Sequence, residues 1–161
     1  MPLDTKAKKK IETVKHDSAA IAFGELGELL GYRLRRAQVA MHRDFIGSVS
    51  DLDLTQKQTA ILWLISTNPG ASQVAVASAL GMDRATMMAV TDRLEARGFI
   101  TRARSEIDRR CQELQLTLAG QSMLAKLKTR IHKHEQRMRA SFTPAELEAL
   151  LAALQKLQDR G

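Results

Sequence analysis

The chain is short of aromatics, proline and cysteine. Aromatic residues make up 4% of its 161 positions, with one Trp, one Tyr and four Phe. Strands favour aromatic and β-branched residues, so this shortage, set against abundant Ala, Leu and Met, points toward helix. There is one cysteine, Cys111, which excludes an internal disulfide and fits a reducing compartment. No apolar run is long enough to span a bilayer, so no membrane partner is expected. Lys6, Lys8, Lys9 and Lys10 are followed by no apolar segment, which argues against a secretory signal and for the cytoplasm. Also missing are a nucleophile–base pairing, a phosphate-binding glycine loop and a metal-ligand spacing. Asp83, Asp92 and Glu95 fall where helix caps and helix ion pairs account for them. The expectation is a protein that is not an enzyme and carries no metal or cofactor.

What the chain does have is a hydrophobic content of 44%, enough for a core, and a net charge of +7. A basic balance suits a polyanion such as nucleic acid. The length fits one domain, or one DNA-binding lobe with added helices.

Four segments are expected. Residues 1–17 are charged and aperiodic, either a flexible basic arm or a helix that orders only in a dimer. The arm is either a solvated tail or a contact to DNA backbone. Residues 18–54 hold a long helix from about Ser18 to Phe45, with Leu26, Leu30, Leu34, Ala37, Met41 and Phe45 at three- and four-residue steps. The polar loop around Gly47 to Asp53 ends it.

Residues 55–117 form the central lobe. Thr55 is placed to cap a helix whose apolar stripe is Ala60, Ile61, Leu64 and Ile65, and Asn68-Pro69-Gly70 stops it. Ser72 caps a short helix through Leu80, with Val74, Ala77 and Leu80 expected inward. Gly81 makes a tight turn, and Asp83 caps the next helix, to about Arg97. Its buried stripe is expected at Ala85, Ala89 or Val90, and Leu94. Two strands follow, Ile100 to Arg104 and Cys111 to Thr117, with Leu114 and Leu116 facing the core.

In residues 118–161 a long helix capped by Thr117 runs to about Ser141. A last helix opens with Thr143-Pro144-Ala145-Glu146, a capping box with proline in the first turn. Its leucines at 147, 150, 151, 154 and 157 form an apolar stripe that the small lobe cannot cover. Such a patch marks an interface, so homodimerisation is expected.

Helix, turn, helix and hairpin in that order make a winged helix-turn-helix. The fold class is therefore mainly α, with three helices and a two-stranded wing between N- and C-terminal dimerisation helices. In this motif the second helix enters the DNA major groove. It offers Arg84, Thr86, Met88, Thr91 and Arg93. Arg84 could read guanine, the threonines could bond bases or phosphates, and a methionine can pack on a thymine methyl. Arg93 fits a phosphate contact or a salt bridge. Ser72 and Gln73, at the start of the preceding helix, join the candidate set. Of the two methionines Met88 is expected exposed, while Met87 is either core or interface. The wing adds Arg102, Arg104, Asp108, Arg109 and Arg110. Asp108 can fix one guanidinium and aim another into a narrow minor groove; the plain alternative is a solvated charged turn.

Several of these segments resemble the MarR family of bacterial transcriptional regulators. They are LGYRLRRA from Leu30, LTQKQTAILWLISTNPG, LGMDRATMMAVTDRLEARGFI and DRRCQELQLTLAG, where Asp108 and Arg110 match an aspartate-x-arginine wing signature. The likeness runs from about Leu26 to Leu157. It implies a dimeric repressor, less often an activator, that binds a pseudo-palindromic operator and leaves it when a small molecule binds. The chain departs from the common pattern at Met88, where small hydroxylated residues are frequent. Peroxide sensing through an N-terminal cysteine is not supported, since the one cysteine is Cys111. His132 and His134 are two apart and diverge around a helix, which does not suit zinc.

The expected effector is a small anionic compound, an aromatic acid or an acyl metabolite such as a coenzyme A thioester. The motive is the arginine-rich first helix, with Arg33, Arg36, His42 and Arg43, and the expected nearness of Trp63. The plain alternative is that these side chains form solvated faces and intersubunit ion pairs. The rival to a sequence-specific regulator is a sequence-independent architectural DNA binder, with steep salt dependence and little discrimination.

Overall fold

The computed structural model describes residues 21–104 and 112–159. The chain divides into two compact units, residues 1–36 and 37–161. In the first, a 3-10 turn over Gly24–Glu28 precedes helix α1, Leu30–Val49. Leu29 lies between them with extended backbone, φ −66° and ψ 127°. The single helix expected from Ser18 is therefore interrupted here, and residues 18–20 of that expectation lie outside the described residues. Phe23 sits 5.6 Å from the Tyr32 ring and beneath the Arg36 guanidinium.

The second unit holds the end of α1, where the helix continues past Phe45 to Val49 and passes into a 3-10 turn over Ser50–Leu52. The loop expected from Gly47 thus starts later. Both Phe45 and Val49 are buried, and this apolar pull carries the helix through Gly47. Next come α2 (Gln56–Thr67), α3 (Gln73–Ala79) and α4 (Arg84–Ala96). Strands β1 (Ile100–Arg104) and β2 (Gln112–Leu116) pair antiparallel, and α5 (Leu118–Arg139) and α6 (Pro144–Gln158) complete the order.

Local chemistry sets these boundaries. Thr55 and Gln58 form a reciprocal capping box, as do Thr143 and Glu146. Ser72, Asp83 and Thr117 each accept a backbone N–H three residues on. Gly81 turns the chain between α3 and α4 at φ +58°, a conformation cheap only for glycine. Gly120 is needed for a different reason. A Cβ there would lie 1.9 Å from the Phe99 carbonyl oxygen, so any side chain collides with backbone.

The core of this unit joins Ile61, Leu62, Ile65, Met87, Leu94, Ile100, Leu114 and Leu127, all essentially inaccessible. Its helix stripes differ in phase from expectation. On α2, Leu62 is fully buried while Ala60 and Leu64 are half-buried. On α3, Val76 and Ala77 turn inward and Leu80 is half-buried; Val74, two residues before Val76, lies around the helix and is 70% exposed. On α4, Met87, Thr91 and Leu94 are buried, Val90 partly, and Ala85 and Ala89 are exposed. Alanine offers little surface to bury, and on α4 Ala85 and Ala89 give way to the larger Met87. Leu114 faces the core as expected and Leu116 is half-buried. Helix α6 has no buried residue, and Leu150, Leu151 and Leu157 are exposed.

Candidate nucleic-acid interface

Helices α3 and α4 enclose a cleft of about 680 Å³, lined by Gln73, Val74, Ala77, Ser78, Met82, Arg84, Met87, Met88 and Gln112. Arg84, in the first turn of α4, is exposed, and Met88, one turn on, is 46% exposed. Both stand on a helix held at its start by Asp83. That carboxylate accepts the Thr86 amide at 2.8 Å and the Thr86 hydroxyl at 2.6 Å. The hydroxyl bond, then the amide bond, holds the Asp83 carboxyl below its ordinary range. The Thr86 hydroxyl proton is thus committed to the cap. Arg93 and Arg104 are exposed.

Two members of the sequence-derived set sit elsewhere than expected. Thr91 is fully buried. Its hydroxyl donates back to the Met87 carbonyl at 2.8 Å, so the buried polar group is satisfied within the helix. It supports α4 from the core and does not face outward. Arg102 is also turned inward, its side chain 17% exposed. Its guanidinium donates to Thr91 Oγ1 at 2.7 Å and to Asp92 Oδ1 at 2.5 Å, and lies 3.3 Å from Glu95 Oε2. Arg102 pairs with buried Leu114 across the sheet and shares a strand face with buried Ile100. The two-residue period of a strand carries the signal for this inward aim. Arg102 therefore clamps β1 to α4 and is not a groove-seeking arginine.

Of the rest, Ser72 uses its hydroxyl to cap α3, accepting the Ala75 amide at 3.1 Å. Gln73 is half-buried, with a sequestered Oε1 that has no hydrogen-bond partner among the described residues. Met87 is core, at 1% exposure. Asp108, Arg109 and Arg110 lie outside the described residues. The α3 lead-in is stitched to the sheet by the Leu114 amide donating to the Ala71 carbonyl at 3.0 Å.

The effector candidates separate into small groups. In the first unit Arg33 pairs with Glu28 at 2.9 Å, and Arg36 lies over Phe23. In the second, His42 stacks on Phe45 with centroids 6.5 Å apart, and its buried Nδ1 has no partner among the described residues. Arg43 lines a cleft of about 430 Å³ between α1 and α5, with Asp44, Ser48, Arg130, Lys133 and Arg137. Trp63 belongs with α5: His132 meets its ring edge-on at 6.1 Å and Lys128 Nζ lies 5.1 Å from its centroid.

One network escaped the sequence. Buried His134 places Nδ1 2.5 Å from Asp44 Oδ2, and Arg137 donates to Asp44 Oδ2 and to Ser48 Oγ, both at 2.7 Å. Hydrogen bonds from His134 and then Arg137 pull the Asp44 carboxyl below its ordinary range. The available signal was a histidine seven residues from Leu127, on the buried stripe of α5.

The model of the MarR family matches residues 54–112, the stretch from α2 into the wing. A proposed transcriptional regulatory protein for the hcr operon of Thauera aromatica is 33% identical over 142 residues, 88% of this chain and 86% of its own. The repressor CouR bound to a 23-mer DNA duplex is 39% identical, with a TM-score of 0.81 over 86% of this chain and 98% of its own. CouR bound to p-coumaroyl-CoA is 37% identical, with a TM-score of 0.80 over 86% and 97%. BpsR of Bordetella bronchiseptica, whose DNA binding is regulated by 6-hydroxynicotinic acid, is 28% identical, with a TM-score of 0.78 over 83% and 95%. Sequence and fold agree: the chain belongs to the MarR family of transcriptional regulators.

Proposed function

We propose that this regulator is a homodimeric repressor that binds a pseudo-palindromic operator and is released by an anionic aromatic or acyl effector. The observation that carries the DNA-binding part is α4 itself. It is capped by Asp83, clamped by Arg102, and presents Arg84 and Met88 outward. Arg84 reads a guanine edge, and exposed Arg93 and Arg104 meet phosphates. Gln73 turns out to the groove, Ser72 and Thr86 order the two helix starts, and Asp108, Arg109 and Arg110, which follow β1 in the sequence, are assigned to DNA contact from their sequence signature alone. The exposed leucines of α6 support dimerisation, which sets two recognition helices about 34 Å apart, one turn of duplex.

For the effector, the similarity to a repressor that binds p-coumaroyl-CoA supports an acyl thioester, and that to one regulated by 6-hydroxynicotinic acid supports an aromatic acid. In this chain the His42 Nδ1 beside Phe45, without a partner among the described residues, suits a polar group on an aromatic ring. Arg43 and Lys133 supply positive charge for a carboxylate or phosphate. A competition assay between the region upstream of its own gene and random duplex tests the reading. Strong preference for the upstream region, lost on adding hydroxycinnamoyl-CoA or an aromatic acid, is the expected result. Equal affinity for both duplexes would favour the sequence-independent binder.

A further inference from the structure

The α3–α4 cleft holds an apolar surface that the capping and clamping contacts do not use. Val74 is 70% exposed and Met88 46% exposed, although both are large apolar side chains. They come from different helices, yet both line the one cleft, which Ala77 and Arg84 line as well. Val74 does not serve the core, since Val76 and Ala77 are the buried residues of α3. Nor does either side chain carry a polar atom for phosphate. An apolar notch beside a guanine-reading arginine has one partner class in a major groove, the 5-methyl group of thymine. It is the only methyl among the four base-pair edges there. The notch is continuous with the surface assigned to DNA, so its occupant is the duplex.

We infer that Val74 and Met88 together form a thymine-methyl socket, which makes α3 as well as α4 a determinant of operator sequence. The inference rests on the proposed DNA-binding role. Each half-site then contains a thymine seated between the two side chains, next to the base pair read by Arg84. Its contribution is that of one methyl group removed from water, roughly fourfold in affinity per half-site.

The test uses the full-length protein and an operator selected from randomised duplex. Each thymine of one half-site is replaced in turn by deoxyuridine, which removes the methyl and leaves every hydrogen-bonding group. One position should weaken wild-type binding roughly fourfold. In Val74→Ala combined with Met88→Ala, the same replacement should change affinity less than about twofold, because the socket is gone. Both side chains are exposed, so circular dichroism should show an unchanged fold. The inference is overturned if every replacement is silent, or if the loss is equal in wild type and variant. In either case a selected operator that still binds leaves the regulator reading standing. Failure to select any operator would overturn both.

Discussion

Arg102 reaches three partners at once: Thr91, Asp92 and Glu95. A lysine cannot replace it, since one ammonium on a flexible stem does not span three acceptors in a fixed fan. Arg102→Ala should lower stability by about 1–2 kcal/mol, read from the urea midpoint, and Arg102→Lys should recover little of that loss. Arg84→Ala should leave the urea midpoint in place, because the side chain is exposed. It should weaken operator binding by about 1–3 kcal/mol and relax preference at one base position. Wild-type discrimination in that variant would remove Arg84 from the base-reading set. The difference between these two arginines was only half legible in the sequence. Arg84 follows a cap and a glycine turn, which are local signals. Arg102 looks like one more wing arginine until the strand period is followed from Ile100, and its acidic partners sit one turn apart on another element.

At the scale of elements, the starts of α2 to α6 were legible because each is written within four residues, whereas the start of α1 at Leu30, after a 3-10 turn, was not. Thr55, Ser72, Asp83, Thr117 and Thr143 all cap as their spacing predicts. The buried faces were less legible, since alanine counts as apolar in a pattern yet brings little volume to a core. Ala85 and Ala89 therefore lost to Met87 and to Thr91, a polar residue that settles its hydroxyl on its own helix. Asp44, Asp83 and Glu146 are all held below their ordinary carboxyl range, by hydrogen bonds from His134, Thr86 and Thr143 respectively. A lowered carboxyl favours the folded state above the unfolded group's pKa, and that benefit is lost as pH falls toward the lower folded value. The thermal midpoint should thus hold above about pH 5 and fall progressively below it. Asp83→Asn, which keeps a capping group but loses the charge, should reduce the steepness of that fall. Gly120→Ala tests a rigid junction. Its methyl would meet backbone, so a destabilisation of about 1–3 kcal/mol or more is expected in urea unfolding.

For the whole molecule, the exposed leucine face of α6 and the DNA-reading surface belong to one proposal about symmetry. Leu151→Glu should shift sedimentation toward monomer and, with two half-sites no longer joined, weaken operator binding far more than binding to random duplex. Wild-type sedimentation would take α6 out of the interface. Effector and operator must also oppose each other reciprocally. If hydroxycinnamoyl-CoA lowers operator affinity by a factor within the usual 5- to 150-fold range, saturating operator must weaken the thioester's binding by that same factor. Titration calorimetry with and without duplex measures both arms.

Because Arg102 fastens hairpin and recognition helix to each other, a lobe can move but cannot easily re-aim its own fingers. On the proposed reading, an inducer acting on such a body would alter how well two reading heads fit the helical pitch, not what each head spells. Sequences enriched at sub-saturating inducer should accordingly match those enriched without it, at uniformly poorer affinity.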